Sequence, residues 1–210
     1  DILSTLIAAG AGPVVREVDE EGRSLTALHE AAEGGHRSFV AKLLEAGAPI
    51  ESKLVSGSTA LTEAVRHRCK GVVLELLAAG ADVNAIEASF SPGAPRTSAP
   101  FICSDFDPLH IAVENRDENM VDILLQAGAK PSREAMNVLP LHTAARQGSC
   151  QIMNSLILAG ARVDAVDAVG RSALHLARAY SHPDAVDLLL HHNASVTLMN
   201  NGGLSPMDVV

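Results

Sequence analysis

Aromatic side chains are nearly missing from this sequence. It has no tryptophan, one tyrosine and four phenylalanines, 2 % of 210 residues. An interior without them must be filled by alanine, leucine and valine, which suits short helices packed closely enough for their backbones to approach. Cysteine is scarce as well. Cys69, Cys103 and Cys150 form no close pairs, which argues against a disulfide framework and a cysteine-based zinc site and points to a reducing, intracellular compartment. The sequon Asn193-Ala194-Ser195 is the contrary signal. No apolar run is long enough to span a bilayer, and the first residues carry no signal-peptide pattern. Basic charge is also short, with 16 Lys and Arg against 25 Asp and Glu and a net charge of −9. Such a surface repels phosphate backbones, so nucleic-acid binding is disfavoured. The charge is uneven: residues 1–52 hold nine acids and four bases, residues 53–105 five of each.

What the sequence has in quantity is self-similarity. The stretch "TALHEAAEGGH" (26–36) returns as "TALTEAVRHRC" (59–69), "DPLHIAVENRD" (107–117), "LPLHTAARQGS" (139–149) and "SALHLARAYSH" (172–182), with a cut-off copy "SPM" at 205–207. The anchors Leu28, Leu61, Leu109, Leu141, Leu174 and Met207 are spaced by 33, 48, 32, 33 and 33 residues. A second landmark, Gly47, Gly80, Gly128, Gly160 or Asn193, follows its anchor by 19 residues in all five copies, whereas the distance onward to the next anchor is 14, 29, 13, 14 and 14. A block of fixed length therefore alternates with a connector that tolerates change.

The block reads as two antiparallel helices. Thr26, Thr59, Asp107, Ser172 and Ser205 stand where a side-chain oxygen can cap the first, and Ala or Pro follows at the first helical position. Leu139 breaks that pattern, so the fourth pair is expected to start less firmly. The first helix ends near a turn glycine (Gly35, Gly148), a place that Arg68 occupies in the second copy. The second helix is amphipathic, as in "FVAKLLEAGA" and "MVDILLQAGA", and closes on a glycine suited to left-handed backbone.

This period and motif resemble the ankyrin repeat, a unit of about 33 residues with a β-turn, two helices and a T-P-L-H-x-A signature. "DPLHIA" and "LPLHTA" are near matches, and "LLAAGADVNA" (76–85) matches the end of the unit. The resemblance covers essentially the whole chain and implies an all-α repeat solenoid: a partial repeat at 1–18, repeats at 19–52, 53–85, 86–131, 132–165 and 166–199, and a truncated one at 200–210. The second connector, long and Pro/Ser/Ala-rich, then reads as an enlarged loop of about 87–104 inside one domain rather than a linker. Neither end reads as a polar cap, so the chain is expected to be a piece of a longer protein.

The resemblance makes His29, His110, His142 and His175 structural, bonding neighbouring loops. Their copies would lie roughly 10 Å apart, too far to share one metal ion. No nucleophile motif, phosphate-cradling loop or metal-ligand helix motif appears, and no catalysis or cofactor is expected. In ankyrin-like arrays partners dock on a concave face lined by the first helices and hairpin tips. Carried over by position, that gives Glu33, Arg66, His67, Glu114, Asn115, Arg146, Gln147 and Tyr180 on the helices and Arg171, Ser56, Ser58 and Val169 on the hairpins. Arg68 joins them through the basic run "RHRCKG" (66–71), which either receives an acidic segment or is a solvated face. Tyr180 either anchors a partner or packs against the neighbouring helix.

The enlarged loop holds Phe90 and Phe101, with Phe106 at its end. These aromatics either cover apolar surface on the second and third repeats or form a partner-binding arm. Asn84 lies in a segment resembling those modified by asparaginyl hydroxylases. The expected function is a protein-interaction module, with a protein or peptide partner and a monomeric domain. An intramolecular regulatory role inside a larger enzyme, channel or ligase is the alternative, and nucleic-acid binding through the basic run a more remote one.

Overall fold

The computed structural model describes residues 16–18, 24–54, 56–86, 106–132 and 138–209. Phe90, Phe101, Cys103 and the connector 87–105 lie outside them, as does most of the partial first repeat. The chain divides into two compact units, Asp1–Pro108 and Leu109–Val210. In the first, strands Arg16–Val18 (β1) and Ser24–Thr26 (β2) pair antiparallel, with Arg16 opposite Thr26. They lead into the helix pair Ala27–Glu33 (α1) and Arg37–Glu45 (α2), then Ala60–Arg66 (α3) and Lys70–Ala78 (α4). Helix α1 packs on α3, and α2 on α4. The second unit stacks the pairs Pro108–Glu114 (α5) and Glu118–Gln126 (α6), Pro140–Gln147 (α7) and Cys150–Leu158 (α8), and Ala173–Ala179 (α9) and Pro183–His191 (α10). Here α7 packs on α9, and α8 lies against both α6 and α10.

Helices this short are marginal in water, so burial must hold them. The anchors Leu28, Leu61, Leu109, Leu141 and Leu174 are all at most 2 % exposed. Small residues one turn on (Ala31 and Ala32, Ala64, Ala112, Ala144 and Ala145, Ala177) are fully enclosed and let neighbouring first helices approach. The second helices contribute Val40 and Leu43, Val73 and Leu76, Val121 and Leu124, Met153 and Leu156, and Leu189. Truncating one such leucine to alanine removes about 2–5 kcal/mol.

Two left-handed residues punctuate each block. The end of the second helix is left-handed at Gly47, Gly80, Gly128 and Gly160 (φ 83°, 90°, 91° and 96°) and at Asn193 (φ 60°). The turn between the helices is left-handed in all five copies, at Gly35 (φ 69°) and Gly148 (φ 68°) but also at Arg68 (φ 58°), Arg116 (φ 54°) and Ser181 (φ 56°). Arg68 therefore keeps the left-handed geometry of the glycine whose place it takes. Helix packing on both sides imposes the conformation, and the side chain tolerates it at a cost of about 1 kcal/mol.

The helix starts also differ from expectation. Thr59 does cap α3: its hydroxyl accepts from Thr62 N at 3.3 Å, and Thr62 Oγ1 accepts from Thr59 N at 2.8 Å. Thr26 and Ser172 make no such bond to the helix backbone, and their hydroxyls meet a histidine ring instead, His29 Nδ1 at 2.7 Å and His175 Nδ1 at 2.9 Å. Leu139 does not weaken its helix, because its N–H donates to His142 Nδ1 at 3.2 Å and Pro140 fills the first helical position. The imidazole thus does the work usually given to a glutamate in a capping box.

Candidate partner-binding surface

The same four imidazoles fix the frame on which the outward side chains stand. Each sends Nε2 to a carbonyl in the following hairpin: His29 to Ser58 at 3.2 Å, His110 to Val138 at 3.2 Å, His142 to Ala165 at 3.0 Å and His175 to Leu204 at 3.1 Å. A carbonyl can only accept, so the ring proton sits on Nε2. That leaves Nδ1 free to accept from the helix start. Burial lowers the pKa of His29, against smaller opposing effects from the Ser58 and Ser52 carbonyls. The ring is thereby kept neutral, as its two roles require. In α3 the equivalent residue is Thr62, whose hydroxyl donates to Thr59 O at 2.9 Å within its own cap.

Two further clasps recur with the repeat and went unread in the sequence. Cys69 Sγ lies 3.6 Å from Glu33 O, and His182 Nε2 lies 3.0 Å from Arg146 O, each reaching back to the preceding first helix. Past the second helices, Glu51 accepts from Asp82 N and Asp164 from Ser195 N, both at 2.8 Å. The signal was present as recurrence at fixed offsets, but these residues differ in type from copy to copy. Only the shared geometry reveals the common role.

With the recurring buried imidazoles spent on clasps, the positions at the ends of the first helices face outward. In the first unit Glu33, Arg66, His67 and Arg68 are exposed. His67 Nε2 sits 3.8 Å from Glu33 and 3.9 Å from Glu63, and Arg66 lies 3.7 Å from Glu63, so carboxylates partly neutralise the basic run. In the second unit Arg146 meets Glu114 at 3.1 Å, and Gln147 donates to Glu114 O at 3.3 Å. Exposed pairs of this kind contribute at most about 1 kcal/mol each. Asn115 and Gln147 are half-buried, whereas Tyr180 stands 52 % exposed beyond α9. Arg171 is turned back on its own hairpin, where Nε bonds Asp167 Oδ2 at 2.8 Å. Phe106 is half-buried, as is Asn84, whose N–H bonds Asp82 Oδ1 at 2.9 Å. Ser58, expected among the hairpin contacts, is 2 % exposed and faces inward.

Comparison with known proteins gives the same unit. A family model described as "Ankyrin repeats (3 copies)" matches residues 1–87 and 141–209, and one described as "Ankyrin repeat" matches 105–135. The chain belongs to the ankyrin-repeat family. It is 32 % identical to the mouse B-cell lymphoma 3 protein homolog over 77 % of this chain and 33 % of that protein. Against human neurogenic locus notch homolog protein 1 the figures are 32 % identity over 72 % of this chain and 5 % of the relative. Human protein fem-1 homolog A is 39 % identical over 37 % of this chain and 14 % of its own length. The chain thus spans no more than about a third of these relatives. Ankyrin repeats are generally non-catalytic protein-interaction modules. Among the described residues no helix is long and apolar enough to cross a membrane, and no three metal-ligating side chains converge.

Proposed function

We propose that this chain is a non-catalytic interaction module that holds a partner protein or peptide on the surfaces that the first-helix ends and the adjoining hairpin tips form within its units. One observation carries the reading. The recurring polar residues are consumed in clasping one repeat to the next, while the positions that differ between copies, among them Glu33, Arg66, His67, Glu114, Arg146 and Tyr180, are exposed. Within each unit, a frame held by these clasps with a free choice of outward side chains is what recognition needs, since binding then orders little. Tyr and Arg offer large contact area with a polar tip, which favours Tyr180, Arg146 and Arg66 as anchors. The wide cysteine spacing, with Cys69 and Cys150 free, supports an intracellular setting for this partnership.

The test is affinity capture followed by calorimetry, with Arg66→Glu and the pair Arg146→Glu, Tyr180→Ala beside the parent chain, all verified as folded by circular dichroism. A specific partner is expected to weaken about tenfold or more with one of these variants. Partners that bind all three chains equally would sink the reading.

A further inference from the structure

The turns that join first helices to second helices differ in charge between the two units. In the first unit residues 33–38 and 66–71 hold Arg37, Arg66, Arg68 and Lys70 against one acid, Glu33. The equivalent residues of the second unit, 114–119, 146–151 and 179–184, hold Arg116 and Arg146 against Glu114, Asp117, Glu118 and Asp184. Arg37 and Lys70 are also the first residues of α2 and α4, where the helix dipole favours an acid and disfavours a cation. The second unit follows that preference, with Glu118 and Asp184 in the first turns of α6 and α10. Cations kept against a local preference mark a place where another demand chose the residue.

The cations of this edge lie outermost. Arg37 donates Nε–H to Glu75 at 3.0 Å, and its side chain is 64 % exposed against 28 % for Glu75. Arg66 stands 3.7 Å from Glu63, 42 % exposed against 12 %. Those two carboxylates thus support the guanidinium groups from beneath, and Glu33 is the acid of the edge that stays exposed. The Arg37 Nη groups bond nothing further among the described residues. Glu75 therefore orients the fork and leaves its far end open to a second carboxylate. A Cβ at Gly71 would stand 3.5 Å from Arg37 Cδ, so the Arg37 stem runs along the first turn of α4, beside Lys70. Lys70 and Arg68 are exposed as well.

We propose that this turn edge of the first unit docks an acidic segment of a partner protein, with Arg37 and Lys70 each taking a carboxylate. The inference rests on the interaction-module reading and names the charge of the partner. Charge complementarity carries it: an acidic segment meets guanidinium and ammonium groups already held at the surface, so little has to be ordered on binding. The first residues of neighbouring second helices lie roughly 10 Å apart, the spacing of packed helices. Three or four residues of extended chain, at about 3.3 Å each, span that distance. Two or three carboxylates within such a stretch match the edge. The net charge of −9 opposes a long polyanion such as a nucleic acid. A short segment feels mainly the cations beside it, because salt screens charges beyond about 8–10 Å.

The experiment selects a phage-displayed library of random peptides on the whole 210-residue chain. Selected peptides are expected to be net negative, with Asp or Glu clustered, and to weaken about tenfold or more between roughly 50 and 500 mM NaCl. The double substitution Arg37→Glu, Lys70→Glu is expected to weaken them by about tenfold or more. Arg37→Gln, Lys70→Gln, which removes charge without reversing it, should give a smaller loss, and Lys70→Arg should leave them bound. Circular dichroism checks that each variant is folded. A short single-stranded oligonucleotide is expected to bind at least about tenfold more weakly than the peptides. Neutral or salt-insensitive winners, winners indifferent to both double substitutions, an oligonucleotide that binds as tightly as the peptides, or an empty selection would each overturn the proposal. Peptides lost instead with Arg146→Glu, Tyr180→Ala would overturn it yet support the first-helix surface, so the two readings fail separately.

Discussion

The two units share one repeat plan and differ in what they leave outside. In the first, Leu74 is the one large hydrophobic side chain that stands clearly exposed among the described residues, and the first-helix ends present Glu33, Arg66, His67 and Arg68. In the second, ten large hydrophobic residues are exposed by the same measure, several on adjoining hairpin tips, and the inner charges Glu114 and Arg146 are paired at 3.1 Å. The clasp between copies, by contrast, is common to both. His29 makes the imidazole clasp in the first unit, whereas His110, His142 and His175 make it in the second. A repeat constrains the residues that clasp and bury and leaves the rest free, so neighbouring stretches of one array can offer different chemistry on the same frame.

The sharpest way to probe the difference is at the locked tips of the second unit. A Cβ at Gly170 would stand 2.6 Å from Asn201 Oδ1 and 2.9 Å from Asn201 N, at φ 78°. Gly170→Ala is therefore expected to cost about 3 kcal/mol by urea denaturation. Gly47→Ala in the first unit shares a left-handed φ of 83° but meets nothing within 4 Å, and should cost only about 1 kcal/mol. Equal losses would mean that the tips are not locked together.

Next in size are the clasps. His142→Ala removes both the bond to Leu139 N and the bond to Ala165 O, an expected loss of about 2–3 kcal/mol. Thr62→Val, at the same repeat position, removes only the bonds of its hydroxyl to Thr59 N and Thr59 O and should cost about 1 kcal/mol in the same assay. If the two substitutions cost the same, the imidazole contributes no more than a cap.

Acid separates two hairpins of identical geometry. Burial alone would raise the Asp167 carboxyl, but the N–H of Arg171, its guanidinium and the N–H of Val169 together bring its pKa below 3.8. A carboxylate depressed in the folded state contributes stability that is complete above the unfolded pKa and is lost as pH falls through the folded one. The amides of Val169 and Arg171 should lose hydrogen-exchange protection in that acid window, below pH 3.8. Gly202, held by the uncharged Asn200, should not. In the first unit the window lies higher. His29 titrates below 6.5 when folded, so its stability is complete above pH 6.5 and declines as pH falls from there toward the folded pKa. His29→Gln should flatten that part of the stability profile.

The smallest expected effect is at the strained turn. Arg68→Gly relieves a left-handed φ of 58° but frees the unfolded chain, for a net gain of about 0.5 kcal/mol. A loss instead would show that the Arg68 side chain, and not its backbone, matters to the first unit.

The repeat itself was legible in the sequence because its period comes from local chemistry. A leucine that must be buried, small residues one turn later and a left-handed helix end are each written in residue type and recur at fixed distances. So were the second-helix ends, where glycine answers a backbone requirement directly. The clasps were legible only in part. Imidazoles at one register position announced a shared role, whereas Cys69 with His182, and Glu51 with Asp164, do the same work with different atoms. Leu139 and Arg68 looked like defects because the compensating groups, His142 Nδ1 and the packed helix pair, do not act through their own residue type. The exposed surface was the least readable, since an outward position is defined by what does not touch it.

By itself, then, the sequence determined the unit, its length and its hydrophobic interior, because those depend on contacts within one repeat. Only the tertiary structure decided which nitrogen of each histidine accepts and which donates, which charges neutralise one another, and which valines face water at the hairpin tips. Those outcomes depend on where the next repeat's backbone lies, a position set by packing between copies and encoded in no single one of them.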